Sequence, residues 1–258
     1  MGKYDSSKYR VVPLVDAIKF NQRNFDAFLN SVKTRKIPSL ICPLDNSAYF
    51  YGTKEKQLNP TKKHLRMLLR YIAENKSVQE YINNKHRAEL CGSDPIKKNA
   101  KAEEALQLIE KNYNHTALPR AWYIFEGATN PDIYIEGDDY IIICEGKWTE
   151  PYITTKTTHL NGENEQRNQM IRHIQGALNN NPKGKKVYAF YIVDNGCDYL
   201  KDLSLDAFKS QICMETIEPD NKEEIIDAFY GYTTWQEIKD YIPSVTFLTK
   251  EEIRAHFI

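Results

Sequence analysis

Asp132, Glu145 and Lys147 have the types and spacing of a reaction centre. Two carboxylates offer hard oxygen donors, and Mg²⁺ binds through one or two of them while keeping waters and open positions for phosphate oxygens. An ammonium two residues past such a ligand points the same way along a strand. There it orients or deprotonates a water, or meets the negative charge that builds on phosphorus.

Whether the three groups meet depends on the elements that carry them. Ile133 to Ile135 and Tyr140 to Cys144 are rich in β-branched and aromatic residues, and Glu136-Gly137-Asp138-Asp139 between them is turn chemistry, so the stretch reads as a β-hairpin. Pairing Ile135 with Tyr140 across a four-residue turn predicts Tyr134 opposite Ile141 and Asp132 opposite Ile143. Side chains alternate faces with a period of two, which sets Asp132, Glu145 and Lys147 on one side. Glu145 is then the diagonal neighbour of Asp132, about 7–8 Å away between Cα atoms. The plain alternative is an amphipathic hairpin whose three charges are solvated or salt-bridged at the surface.

Pro131-Asp132, a spacer, then Glu145-Gly146-Lys147 at the end of an apolar strand resembles the PD-(D/E)xK nuclease superfamily, over roughly the middle of the chain. The resemblance implies an α/β fold, restriction-endonuclease-like, with a mixed β-sheet core flanked by helices. It implies Mg²⁺ or Mn²⁺ held by Asp132, Glu145 and the Gly146 carbonyl, with Lys147 assisting the attacking water. Many members also direct a glutamine at the site from the helix after the lysine strand. Gln166 is the nearest match here and Gln169 the second. The tyrosine that follows this glutamine by four residues in some branches is absent, since Met170 and His173 stand there. A helix before the hairpin sometimes adds a carboxylate; Glu103, Glu104 and Glu110 are candidates, and none is assigned. The implied activity is hydrolysis of DNA phosphodiester bonds by an endonuclease of restriction or defence type, without an organic cofactor. RNA as substrate and a homodimer stay open. The competing readings are a non-catalytic nucleic-acid-binding module of the same fold and a protein-interaction domain.

Composition sets the outer bounds. With 41% hydrophobic and 27% charged residues in 258, the chain is long enough and apolar enough for a sizeable core. No run approaches a membrane span, and Met1-Gly2-Lys3-Tyr4-Asp5 starts no secretory pattern. The five cysteines form no Cys-x-x-Cys pair, and the six histidines lack metal-ligand spacing. A cytoplasmic protein with reduced thiols is therefore expected, its histidines being surface or core residues. Basic and acidic residues balance at 35 each, so the whole chain announces no polyanionic partner. Their distribution is uneven: Lys54, Lys56, Lys62, Lys63, Arg66 and Arg70 fall early, while acids dominate after Asp194. A local basic patch is enough to track a phosphate backbone, although solvated helix faces have the same composition.

In chain order, residues 1–94 read as a mainly helical N-terminal region. It holds a helix over 13–34, irregular chain or short strands from Arg35 to Gly52, and a helix opened by Asn59-Pro60-Thr61 that runs to about Asn75. Ser77 and Glu80 have capping-box spacing. Residues 95–258 read as the α/β core with a helical tail. Its expected elements are a helix from Pro95 to Tyr113, a strand from Trp122 to Phe125, a long loop to Gly162 and a helix from Glu163 to Asn179. An inner strand, Val187 to Val193, and tail helices over Asn221 to Tyr230 and Thr234 to Tyr241 complete it. There is no Gly-x-Gly-x-x-Gly and no P-loop.

Overall fold

A computed structural model of the protein describes residues 7–111, 126–148, 154–155, 167–215 and 217–255. A short π-helical turn, Ser7–Val11, runs into α1 (Val12–Ile18), and α2 (Gln22–Asn30) follows. The single helix expected over 13–34 is thus two. Phe20 breaks it with a φ of 62°, and the Asn21 side chain then caps α2 by accepting from the Asn24 N–H. Next come β1 (Tyr49–Tyr51), α3 (Lys62–Asn75), α4 (Lys85–Cys91) and α5 (Pro95–Lys111). Thr61 caps α3, and the Ser77–Glu80 capping box opens only a 3₁₀ turn, Val78–Tyr81.

The second half holds β2 (Ile133–Glu136), β3 (Tyr140–Gly146), β4 (Thr154–Thr155), β5 (Arg167–Asn168), α6 (Gln169–Asn179) and β6 (Lys186–Val193). After these run α7 (Leu205–Cys213), α8 (Lys222–Ala228), β7 (Phe229–Thr234), α9 (Trp235–Tyr241) and α10 (Lys250–Ala255). A five-stranded sheet has the order β1-β2-β3-β6-β7. Its first two pairings are antiparallel and its last two parallel, so the sheet is mixed.

Alternation along the strands builds two apolar layers. Ile133, Ile135, Ile142, Cys144, Phe190 and Ile192 pack with α1, α2 and α9 on one face. Tyr134, Ile141, Ile143, Ala189 and Tyr191 pack with α6, α7 and α8 on the other. The inner strand β6 is buried along nearly its whole length, as its continuous apolar run requires. The sheet crosses position 94, because β1 pairs with β2 and α1 and α2 cover its face. Residues from α3, α4 and α5 make a third cluster of their own, including Leu65, Leu68, Ile72, Leu90, Ala105 and Ile109.

Two further expectations are corrected. Ile135 faces Ile142, not Tyr140, because the hairpin turn is shorter: Gly137 N–H donates to the Tyr140 carbonyl at 3.0 Å, leaving Asp138 and Asp139 as the turn. The Tyr140 ring occupies the space a Gly137 side chain would need. A slip of two residues preserves which face each side chain takes. The tail helix expected to reach Tyr230 ends at Ala228, and Phe229–Thr234 is a parallel strand. Its sequence, Phe-Tyr-Gly-Tyr-Thr-Thr, is rich in β-formers, and residues 33–35 line its outer side through Lys33 N–H to Tyr232 O and Arg35 N–H to Tyr230 O.

The strand expected at Trp122 to Phe125, most of the loop after Trp148 and residues 163–166 lie outside the described residues, and the helix expected from Glu163 is strand at Arg167–Asn168 and starts at Gln169, capped by Asn168. Among the described residues no helix is long and apolar enough to cross a membrane. The five cysteines are free.

Candidate functional site

The site forms where β3 ends, on the face covered by α6. Ile133 faces Cys144, so the register sets Asp132 directly across from Glu145, one step closer than the diagonal position expected. The Asp132 carboxylate accepts from the Gly146 N–H at 2.8 Å, and Glu145 Oε1 accepts from Lys147 Nζ at 2.8 Å. Asp132, Glu145 and Lys147 are therefore gathered as their parity predicts. Lys147 lies past the end of the strand yet stays tied to the sheet. Its N–H donates to the Ile192 carbonyl at 2.8 Å, and its own carbonyl accepts from Trp235 Nε1 at 2.9 Å. Gly146 contributes its N–H to Asp132. A Cβ there would crowd Trp235, Val11 and Asp132, so glycine is what lets these groups close around the strand end.

Helix α6 supplies the rest. Gln169 Oε1 accepts from Lys147 Nζ at 3.0 Å, so the second glutamine candidate is the one at the lysine, while Gln166 lies outside the described residues. Four residues on, and so on the same side of the helix, the His173 Nε2–H donates to Glu145 Oε2 at 2.9 Å. Because Glu145 is acceptor-only when ionised, Nε2 carries the proton and Nδ1 accepts from the Thr129 hydroxyl at 2.8 Å. Thr129 is itself fixed by a two-bond bridge to Leu58. The result is a chain of polar contacts, Thr129–His173–Glu145–Lys147–Gln169, on three separate segments. Neither His173 nor Thr129 is among the site residues the sequence offers. The one sequence signal for His173 was its i, i+4 spacing from Gln169, which has meaning only once Gln169 is known to face inward.

The two carboxylates differ. Burial pushes the Asp132 carboxyl well above its ordinary range and the charge of Glu145 pushes it further, against the Gly146 N–H and Lys147. Burial also raises Glu145, but Lys147 and His173 outweigh it and the net shift is down. His173 is held below the usual imidazole range, since burial outweighs its bond to Glu145. Of the two, Glu145 is the one whose ionised form its partners favour, while burial and the neighbouring Glu145 favour the neutral form of Asp132.

Beneath the site lies a buried ion network. Glu126 accepts from Arg167 through both oxygens (2.8 and 2.7 Å), from Arg172 Nε at 2.6 Å, and pairs with His64 Nε2 at 3.0 Å. Arg167 also reaches Glu215 and Gln175. This network joins α3, the loop leading to Asp132, and α6. Burial alone would raise the Glu126 carboxyl, yet Arg167, Arg172 and His64 hold it well below its ordinary range. Nothing local in the sequence marked Glu126, which stands beside Gly127 in what reads as a turn.

The other candidates fall elsewhere. Glu110 pairs with Arg66 and Lys62, Glu104 with Lys101, and Glu103 is exposed on α5. Several early basic residues are neutralised locally, Lys63 by Asp220 and Arg70 by Glu74 among them. Among the described residues no three His, Cys, Asp or Glu side chains are placed to hold a metal together.

No family model matches the chain, and no solved structure does. Among curated proteins, an uncharacterized protein of Methanocaldococcus jannaschii is 29% identical over 149 residues, which is 57% of this chain and 41% of that protein. The chain thus spans less than half the length of the relative it matches.

Proposed function

We propose that this protein is a divalent-metal-dependent nuclease that hydrolyses phosphodiester bonds of DNA, an endonuclease of the PD-(D/E)xK type with a restriction-endonuclease-like core. The observation that carries the reading is the convergence of Asp132, Glu145 and Lys147 at one strand end, with Lys147 Nζ 2.8 Å from Glu145 and 3.0 Å from Gln169. The five-stranded mixed sheet flanked by helices supports the reading at the level of α/β architecture.

The donor set fits Mg²⁺ or Mn²⁺. Burial first and the charge of Glu145 second push Asp132 up, so a cation between the two facing carboxylates would favour ionisation of both, and hard oxygens are what such cations take. A carboxylate has about four lone-pair positions. Asp132 and Glu145 would hold the ion through those that Gly146, Lys147 and His173 leave unused. When bound, the ion supplies positive charge against the phosphoryl oxygens as charge develops there.

The chain's own groups do the remainder. His173 and Lys147 fix the two oxygens of Glu145 in one orientation. Gln169 holds the Lys147 ammonium at the carboxylates, where it orients the attacking water and meets charge growing on phosphorus. The water oxygen gives up a proton to solvent as it bonds to phosphorus in line with the leaving oxygen, whose P–O bond breaks and which takes a proton back from solvent. Incubation of the purified protein with supercoiled and linear DNA in Mg²⁺, Mn²⁺ or EDTA tests this. Cleavage in either cation and none in EDTA supports it, and intact DNA under all conditions refutes it.

A further inference from the structure

At the turn end of the β2–β3 hairpin, a groove of about 640 Å³ runs between residues 41–48, the hairpin turn and the turn before β6. Strand β3 leads from this end to Gly146 over about 20 Å, so a molecule held in the groove leaves the carboxylates and Lys147 open. The groove presents two large apolar side chains to solvent: Ile41 is 84% exposed and Leu44 is 80% exposed. The backbone that carries them is irregular and yet fastened by side chains from α2, β1 and β3. Gln22 donates to the Leu40 carbonyl at 2.8 Å and accepts from the Cys42 N–H at 2.8 Å. The Tyr140 hydroxyl donates to the Ile41 carbonyl at 2.6 Å, and the Tyr49 hydroxyl to the Pro43 carbonyl at 2.7 Å. With Cys42 buried between them, Ile41 and Leu44 are held outward. Apolar groups fixed in this way lose little backbone freedom when something packs on them.

The rim decides what that something is. Asp45, Glu136, Asp138 and Asp139 line the groove against Lys183 and Lys185, a surplus of carboxylates in a chain whose net charge is zero. Lys185 is taken up by Glu136 and by the Gly137 carbonyl, each at 2.8 Å. Asp45, Asp138 and Asp139 are exposed, and none of the three is in an ion pair among the described residues. Lys186, on the same turn as Lys183, is paired with Asp227. Such a rim repels a phosphate backbone and attracts lysine and arginine. Large apolar groups framed by one sign of charge are the surface that takes a protein segment of the opposite sign.

We propose that this groove docks a cationic, amphipathic segment of a partner protein, whose large apolar side chains pack on Ile41 and Leu44 while its arginines or lysines meet Asp45, Asp138 and Asp139. A volume of about 640 Å³ accommodates a few side chains and not a whole domain. The docking surface goes beyond the nuclease reading and does not depend on it, and its test uses neither DNA nor metal.

The test is fluorescence anisotropy of the full chain with a labelled peptide of about twelve residues in which leucine alternates with arginine. One control peptide has glutamate in place of arginine, and a second has glycine in place of leucine. The leucine–arginine peptide is expected to bind at least about tenfold more tightly than either control, and to weaken as salt is raised. Ile41→Ser combined with Leu44→Ser should weaken it at least about tenfold. Asp138→Asn combined with Asp139→Asn should weaken it about tenfold and flatten the salt dependence, since asparagine keeps the turn and removes the charge. All four side chains are exposed, so both variants should melt with wild type. Equal affinity for the three peptides overturns the proposal, as does wild-type affinity in either double variant. Sedimentation of the protein alone reads the rival occupant. A monomer supports the proposal, and a dimer that Ile41→Ser with Leu44→Ser dissociates gives the groove to a second copy and overturns it.

Discussion

At the scale of residues, the contact that distinguishes a reaction centre from a surface salt bridge is the double hold on Lys147. Its ammonium is fixed between Glu145 and Gln169 and is largely withdrawn from solvent. Gln169→Ala removes one side of that hold while leaving the ion pair, so cleavage is expected to fall by about tenfold or more with metal affinity unchanged. Steady-state kinetics against Mg²⁺ concentration separates the two. His173→Leu strips partners from Glu145 Oε2 and from the Thr129 hydroxyl, both buried, and should cost about 1–3 kcal/mol in urea unfolding. The carboxylates and the lysine were legible in the sequence because a strand's period of two decides their side and the observed register differs from the expected one by an even step. His173, Thr129 and Glu126 were not, because each acquires its role only from partners more than 25 residues away, such as the 28 between His173 and Glu145.

At the scale of elements, the hairpin, β6 and α6 follow from their apolar periodicity. What eluded the sequence was β7. Phe229 and Tyr230 continue the apolar stripe of the preceding helix, and the strand exists because it pairs with β6 on one side and with residues 33–35 on the other. Gly231 makes that possible: its φ is 94°, and any side chain there would collide with Thr34. Gly184 also has a positive φ, 64°, but faces open space. Gly184→Ala should therefore cost about 1 kcal/mol from backbone strain alone. Gly231→Ala should cost about 1–3 kcal/mol more, because overpacking is added to the strain. Urea midpoints of the two variants compare them directly, and equal losses would show that the contact with Thr34 yields without cost.

At the scale of the whole molecule, stability and activity meet in the network around Glu126, which ties the α3–α5 cluster to the loop bearing Asp132. The Glu126 carboxyl is depressed in the folded state, so the unfolded chain binds the proton more readily. Its contribution is fully present above the unfolded value near 4.5 and is lost as pH falls through the lower folded value. Wild type should lose stability as pH falls below about 5, and Glu126→Gln should be less stable at neutral pH with a flatter acid limb. Urea unfolding from pH 7 downward measures both. The most direct test of the nuclease account is one comparison: plasmid DNA incubated with Mg²⁺ and either wild type or Lys147→Met, which keeps the aliphatic stem and removes the charge. The account predicts metal-dependent cleavage by wild type and a loss of more than about 100-fold in the variant, with matching circular dichroism. Equal cleavage by the two proteins, or none by wild type, would contradict it.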